Sequence, residues 1–254
     1  MNITSLLNFN ALGQWAGKSA TVAAAIDPSP LAQAVQRAEQ RLASEVESNS
    51  AQLSSLGRLK SALSDLQAAA QAALQLPQPP DELDLTDSER AATRSALNAL
   101  VSSFNATLTS ARASGRLDGE PAATDSARRV TENLGNALGP DLSDALHDLG
   151  LTLREQGDAT GWLKAREMPP GVHHANQHSA LVRLAERIDT VAGEELQSGG
   201  QVSDSFGQLM RRARTLDAQR SALESAAQAT ATDVTALSRK GGLAAYLAHS
   251  DSKV

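Results

Sequence analysis

From Val202 to Leu237 one pattern runs unbroken. Val202, Phe206, Leu209, Ala213, Leu216, Arg220, Leu223, Ala227, Thr230, Val234 and Leu237 follow one another at alternating steps of four and three. A helix turns once in about 3.6 residues, so positions spaced this way form one narrow stripe along its side. A stripe so narrow and so long suits a coiled-coil seam, because a helix packed on a globule carries a broader apolar face. Arg220 and Thr230 are polar members of the seam, a type that weakens packing and fixes register and partner number. Gly241-Gly242 is expected to end the helix, leaving a short amphipathic tail with Leu243, Tyr246 and Leu247.

A second seam lies near the other end. Asp27-Pro28-Ser29-Pro30 is a stop, since residues before proline avoid the helical region. A helix is then expected over 31–76, with Leu31, Val35, Ala38, Leu42 and Val46 on its stripe. The stripe shifts phase around Asn49 and Ser50 and resumes with Leu53, Leu56, Leu59, Leu63, Leu66, Ala70 and Ala73. Gly57 weakens the middle of this helix. Pro77-Gln78-Pro79-Pro80 opens a linker over 77–87, and Thr86-Asp87-Ser88-Glu89 fits a capping box for the next helix.

The middle, 88–200, reads as compact and helical. Helices are expected over about 88–113, with Leu97, Leu100, Val101, Phe104, Leu108 and Ala111 on one side, over about 124–138 before Gly139-Pro140, and in a short piece to Leu149. Leu151-Thr152-Leu153 alternates and Gln156-Gly157-Asp158 signals a turn, so a small β-hairpin is expected within 151–165. A helix over about 178–196 and the separator Gly199-Gly200 complete the middle. The expected fold is therefore mainly α. Long N- and C-terminal helices (31–76 and within 201–254) pair as an antiparallel coiled coil, and residues 1–30 form a flexible segment.

Composition narrows the function. Aromatic residues are 2% of the 254, few for a globular core of that size, whereas abundant Ala and Leu suit long, closely packed helices. A net charge of −6 disfavours nucleic-acid binding despite the local Arg211, Arg212 and Arg214. There is no cysteine, hence no disulfide and no thiolate chemistry. No stretch approaches the roughly 20 apolar residues that span a bilayer, so membrane insertion is not expected. The first residues lack the basic start and apolar core of a cleaved signal peptide.

Candidate chemistry is sparse. Gly13-Gln14-Trp15-Ala16-Gly17-Lys18-Ser19 resembles a phosphate loop, but three residues stand between its glycines where four are needed, and no apolar strand precedes it. His173, His174 and His178 include an i, i+4 pair that could share a helix face. Zinc asks for three or four ligands, and the stretch after Pro169-Pro170-Gly171 reads as a loop, so solvent-exposed histidines are expected. Glu45, Glu47, Asp65, Glu89 and Glu224 read as solvated helix faces, Glu224 with Arg220 as an i, i+4 partner. No catalytic constellation, cofactor or metal is expected. The residues assigned to seam or partner contacts are Leu53, Leu56, Leu59, Leu63, Leu66, Val202, Phe206, Leu209, Leu216, Leu223, Val234, Leu237, Tyr246 and Leu247.

Four phrases, in order, carry a family resemblance. The run from Leu53 to Gln67 contains Ser55-Leu56-Gly57-Arg58-Leu59-Lys60-Ser61-Ala62-Leu63-Ser64. Then come Leu100-Val101-Ser102-Ser103-Phe104-Asn105, Leu149-Gly150-Leu151-Thr152, and Thr235-Ala236-Leu237 with Tyr246-Leu247. Together they resemble the bacterial flagellar filament-capping protein (flagellar hook-associated protein 2) family. The family's large β-rich domains would fall between the first two phrases, where this chain has only Pro77 to Asp87, and the family's tyrosine is Phe104. The resemblance implies a reduced cap-like protein without the outer domains. It would be exported through the flagellar channel without signal cleavage, reside extracellularly on the flagellum, and oligomerise at the filament tip or hook junction to assist flagellin assembly. Implied partners are further copies of itself, flagellin or hook-junction subunits and an export chaperone. The competing expectation is a helical scaffold, adaptor or type III-secreted binding protein that caps nothing.

Overall fold

The computed structural model describes residues 30–78, 86–115, 121–156, 159–165 and 174–251. Helix α1 spans Pro30–Leu74, α2 Asp87–Gly115 and α3 Pro121–Ala137. A 3-10 turn, Pro140–Leu142, leads into α4, Ser143–Asp148; strands β1, Leu151–Gln156, and β2, Ala159–Ala165, follow. Helices α5, His174–Leu196, and α6, Gln201–Asp251, close the order. The described chain is thus mainly helical, with one two-stranded antiparallel sheet. It divides into two units: residues 44–219, and residues 1–43 together with 220–254.

Element boundaries follow local chemistry. At the start of α2 the Thr86 hydroxyl accepts the Glu89 amide N–H at 3.3 Å, while the Glu89 carboxylate accepts the Thr86 N–H at 2.8 Å. This is the reciprocal box expected from Thr86-Asp87-Ser88-Glu89. Helix α3 begins at Pro121, where a missing N–H costs nothing because first-turn N–H groups have no helical acceptor. The chain leaves α4 through Gly150, whose φ of +64° an L side chain rarely adopts. The hairpin pairs Leu151 with Ala165 and Leu153 with Leu163, with a register irregularity between Arg154 and Gln156.

Two expected boundaries differ. Helix α6 continues through Gly241-Gly242 to Asp251. Each glycine costs about 1 kcal/mol relative to alanine, and the good helix formers on both sides, such as Leu237 and Leu243 to Ala248, carry the helix across. Helix α5 begins at His174 and not near 178, so His174 and His178 are helical residues. His173 lies outside the described residues.

The core belongs to the unit 44–219. From α1 it takes Leu56, Leu59, Leu63, Leu66, Ala70 and Ala73, from α2 Leu97, Leu100, Phe104 and Leu108, and from α3 Val130 and Leu134. Leu181, Leu184 and Ile188 of α5 and Val202 and Leu209 of α6 complete it. Small hydroxyls let helix backbones approach closely inside it: the Ser55 and Ser114 hydroxyls lie 2.8 Å apart, those of Ser126 and Ser205 2.7 Å, and Thr107 donates to the Ala62 carbonyl at 3.0 Å. All five side chains are buried. The joint between α5 and α6 turns on a buried carboxylate. Glu195 accepts the Val202 N–H at 3.3 Å and the Asn133 amide at 3.0 Å. Gly200 sits so close to the Glu194 and Glu195 carbonyls that any Cβ there would clash with backbone.

Candidate functional site

The seam residues are the candidate site. In α1, Leu56, Leu59, Leu63 and Leu66 have no exposed surface, and Leu53 is half-buried against the core. In α6, Val202, Leu209 and Leu216 are buried and Phe206 is half-buried. Within 44–219 these residues line the intramolecular core. Contacts join the two helices there. The Lys60 ammonium stands 5.5 Å from the centre of the Phe206 ring, Asn49 donates to the Leu209 carbonyl at 3.3 Å, and Arg212 meets Glu45 at 3.7 Å. Partner numbers rise on α6 as they fall on α1.

The other unit has a different surface. Among its described side chains, at 33–43, 220–229 and 231–232, none is buried; Val35, Leu42, Leu223 and Ala227 are half-buried. Arg220 and Glu224 form the expected i, i+4 pair at 3.0 Å, with both side chains substantially exposed. An exposed pair of this kind contributes little stability. Val234, Leu237, Tyr246 and Leu247 lie in helical backbone, and their side chains fall outside the described residues.

Sequence reasoning missed the polar members of the α1 stripe. Asn49 and Gln52 are buried at 4% and 2% exposure, where a shift of phase was expected. The signal was available: Asn49, Gln52, Leu56, Leu59, Leu63, Leu66, Ala70 and Ala73 step by three and four without a break once polar residues are admitted. The sequence marks Asn105 only as part of the Leu100–Asn105 phrase. Its side-chain amide donates to the Leu163 carbonyl at 2.8 Å and accepts the Leu163 N–H at 3.0 Å, so it pairs with β2 as a neighbouring strand would. Arg112 covers the Trp162 ring beside it, 4.9 Å from the ring centre.

The histidines and the cleft offer little chemistry. His178 is buried, not solvent-exposed as expected for a loop, because α5 starts earlier and turns it inward; burial pushes its pKa down and favours the neutral ring. Among the described residues no three His, Asp or Glu side chains converge as metal ligands would. An open, largely apolar cleft of about 480 Å³ is lined by Leu138, Pro140, Ser143, Leu146, His147 and Leu153, among others. The His147 imidazole stands 3.8 Å from the Asp148 carboxylate, too far for the hydrogen bond that would orient it, and is 75% exposed. The Gly13–Ser19 stretch lies outside the described residues. No helix among the described residues is long and apolar enough to cross a membrane.

No family model, no curated protein and no solved structure matches this chain.

Proposed function

We propose that this protein is a structural assembly component that oligomerises through its long helices, acting in the manner of a flagellar filament cap at the filament tip or hook junction. One observation carries the assembly part of this reading. The 3-4 seam of α6 continues past residue 219, yet none of the described side chains beyond that point is buried. A seam of this period buries its residues only against another helix. The seam positions Val35, Leu42, Leu223 and Ala227, only half-buried, therefore leave surface for contacts with further copies or with other helical subunits. The antiparallel sense of the contacts between 45–60 and 206–212 supports a coiled-coil pairing of α1 with α6.

The flagellar part rests on the order of the four phrases, with Asn105 tying the second of them to the hairpin begun by the third. Flagellin, hook-junction subunits and an export chaperone are the partners this reading requires. The protein would then act outside the cell, on the flagellum, through packing and not through catalysis. The adaptor reading is favoured by a separate observation, namely that only Pro77 to Asp87 stands where filament caps carry their β-rich outer domains.

A deletion strain separates the two. A cap-like role predicts short filaments and flagellin monomer lost to the medium. Normal filaments without leakage would leave the adaptor reading standing and end the flagellar one. If the seam must repack as the tip advances, Arg220→Leu with Thr230→Ile should impair motility in a cap-like protein.

A further inference from the structure

The contact between α1 and α6 within 44–219 changes character along its length. Toward Leu56, Leu59 and Leu63 it is apolar, with Phe206 half-buried near Gly57 and Lys60. Toward residue 45 it becomes polar. The Asn49 amide N–H reaches the Leu209 carbonyl at 3.3 Å, and the Gln52 amide N–H reaches the Ser48 hydroxyl at 3.3 Å. The other ends of both amides, Asn49 Oδ1 and Gln52 Oε1, are buried without a hydrogen-bond donor. Beyond them come the half-exposed Glu45–Arg212 pair at 3.7 Å and the buried Leu216.

We propose that the Asn49–Gln52 layer is a built-in weak point from which α6 opens away from α1. Two observations combine. The side chains are nine-tenths or more buried, so the unmet acceptors carry a desolvation cost in the closed state. Opening lets water reach both oxygens and removes that cost. The Leu209 carbonyl loses little when Asn49 leaves, because it sits inside a helix and also accepts from the backbone four residues on. The apolar layers at Leu56 to Leu63 gain nothing from water, so they hold while the polar layer parts. Opening from this end bares the Leu53 side of α1 and the Leu209 and Leu216 faces of α6. The inference does not depend on any flagellar role.

The test is native-state hydrogen exchange on the full chain. In the unaltered protein, amides at 205–216 should exchange at least tenfold faster than those at 97–111 in α2. Asn49→Leu with Gln52→Met removes the unmet acceptors; it should raise the denaturation midpoint and slow exchange at 205–216 at least tenfold, leaving 97–111 unchanged relative to global stability. Leu59→Ala serves as the control and should lower the midpoint. Exchange at 205–216 that occurs only through global unfolding would overturn the proposal. So would a lower midpoint for a folded double variant, or an ordered water donating to both oxygens in a crystal structure. Should the double variant fail to fold, the comparison of the two segments in the unaltered protein still decides.

Discussion

Residues 44–219 and the described stretches 33–43 and 220–229 share a periodicity but not a fate. In the first, Leu56, Leu59, Leu63, Leu66, Val202, Leu209 and Leu216 are buried to 3% exposure or less. In the second, the equivalent steps Val35, Leu42, Leu223 and Ala227 stop at half-buried. The amino acids do not explain the difference, since leucine and alanine occupy both. Neighbours do: α2, α3 and α5 supply further layers within 44–219, where Phe104, Val130, Leu134, Leu184 and Ile188 complete the core. A 3-4 stripe states which side of a helix can be buried, and the number of elements around it decides whether it is.

The largest expected effects test that contrast. Phe104→Ala should cost about 3–5 kcal/mol and Leu63→Ala about 2–5 kcal/mol, from lost burial plus the cavity left behind. Leu223→Ala should cost less, about 1–2 kcal/mol in dilute solution, because a half-buried site has less burial to lose than Leu63. Chemical denaturation of the three variants measures this; equal losses at Leu63 and Leu223 would erase the distinction. Next, Gly200→Ala should cost about 1–3 kcal/mol, because its Cβ meets the Glu194 and Glu195 carbonyls and the joint between α5 and α6 must shift. Thermal melts would show it.

Asn105→Ala sharpens the comparison locally. It leaves the Leu163 N–H and carbonyl without their partner and should cost about 1–3 kcal/mol, with the Leu163 amide losing exchange protection first. The smallest effect is at the start of α2. Thr86→Ala should cost about 1 kcal/mol through loss of the cap. The Thr86 hydrogen bonds hold the Glu89 carboxyl below its usual range. A carboxyl with a depressed folded-state pKa contributes stability above its ordinary value, and that contribution is lost as pH falls through the folded-state value. Thr86→Ala should therefore flatten stability against pH in that acidic window, and an unchanged slope would show the cap to be inert.

Much of this architecture was readable from the chain because its signals are local. Proline stops at Pro30 and Pro77, the box at Thr86 and Glu89, the alternation at Leu151 to Leu153 and the separator Gly199-Gly200 each act within a few residues. What could not be read depends on distant partners. Ser55, Ser114, Ser126 and Ser205 look like ordinary polar-face serines until helices far apart in sequence bring them together in pairs. Asn49 and Gln52 mimic a break in the stripe because their side chains are polar, whereas what they share with Leu56 and Leu59 is the buried position. Of the candidate site, the residues were legible but their use was not: the leucines from 56 to 66 serve the core of their own chain.

The central claim is that the seam positions Val35, Leu42, Leu223 and Ala227 are only half-buried in the single chain and are completed by other helices. Hydrogen exchange of the full chain across a concentration series tests it most directly. The account predicts that α1 from 56 to 73 and α2 from 97 to 111 stay protected at every concentration, while 33–43 and 220–232 exchange fast when dilute and become protected as copies associate. Fast exchange of those two stretches at all concentrations, in a chain that remains monomeric, would contradict it.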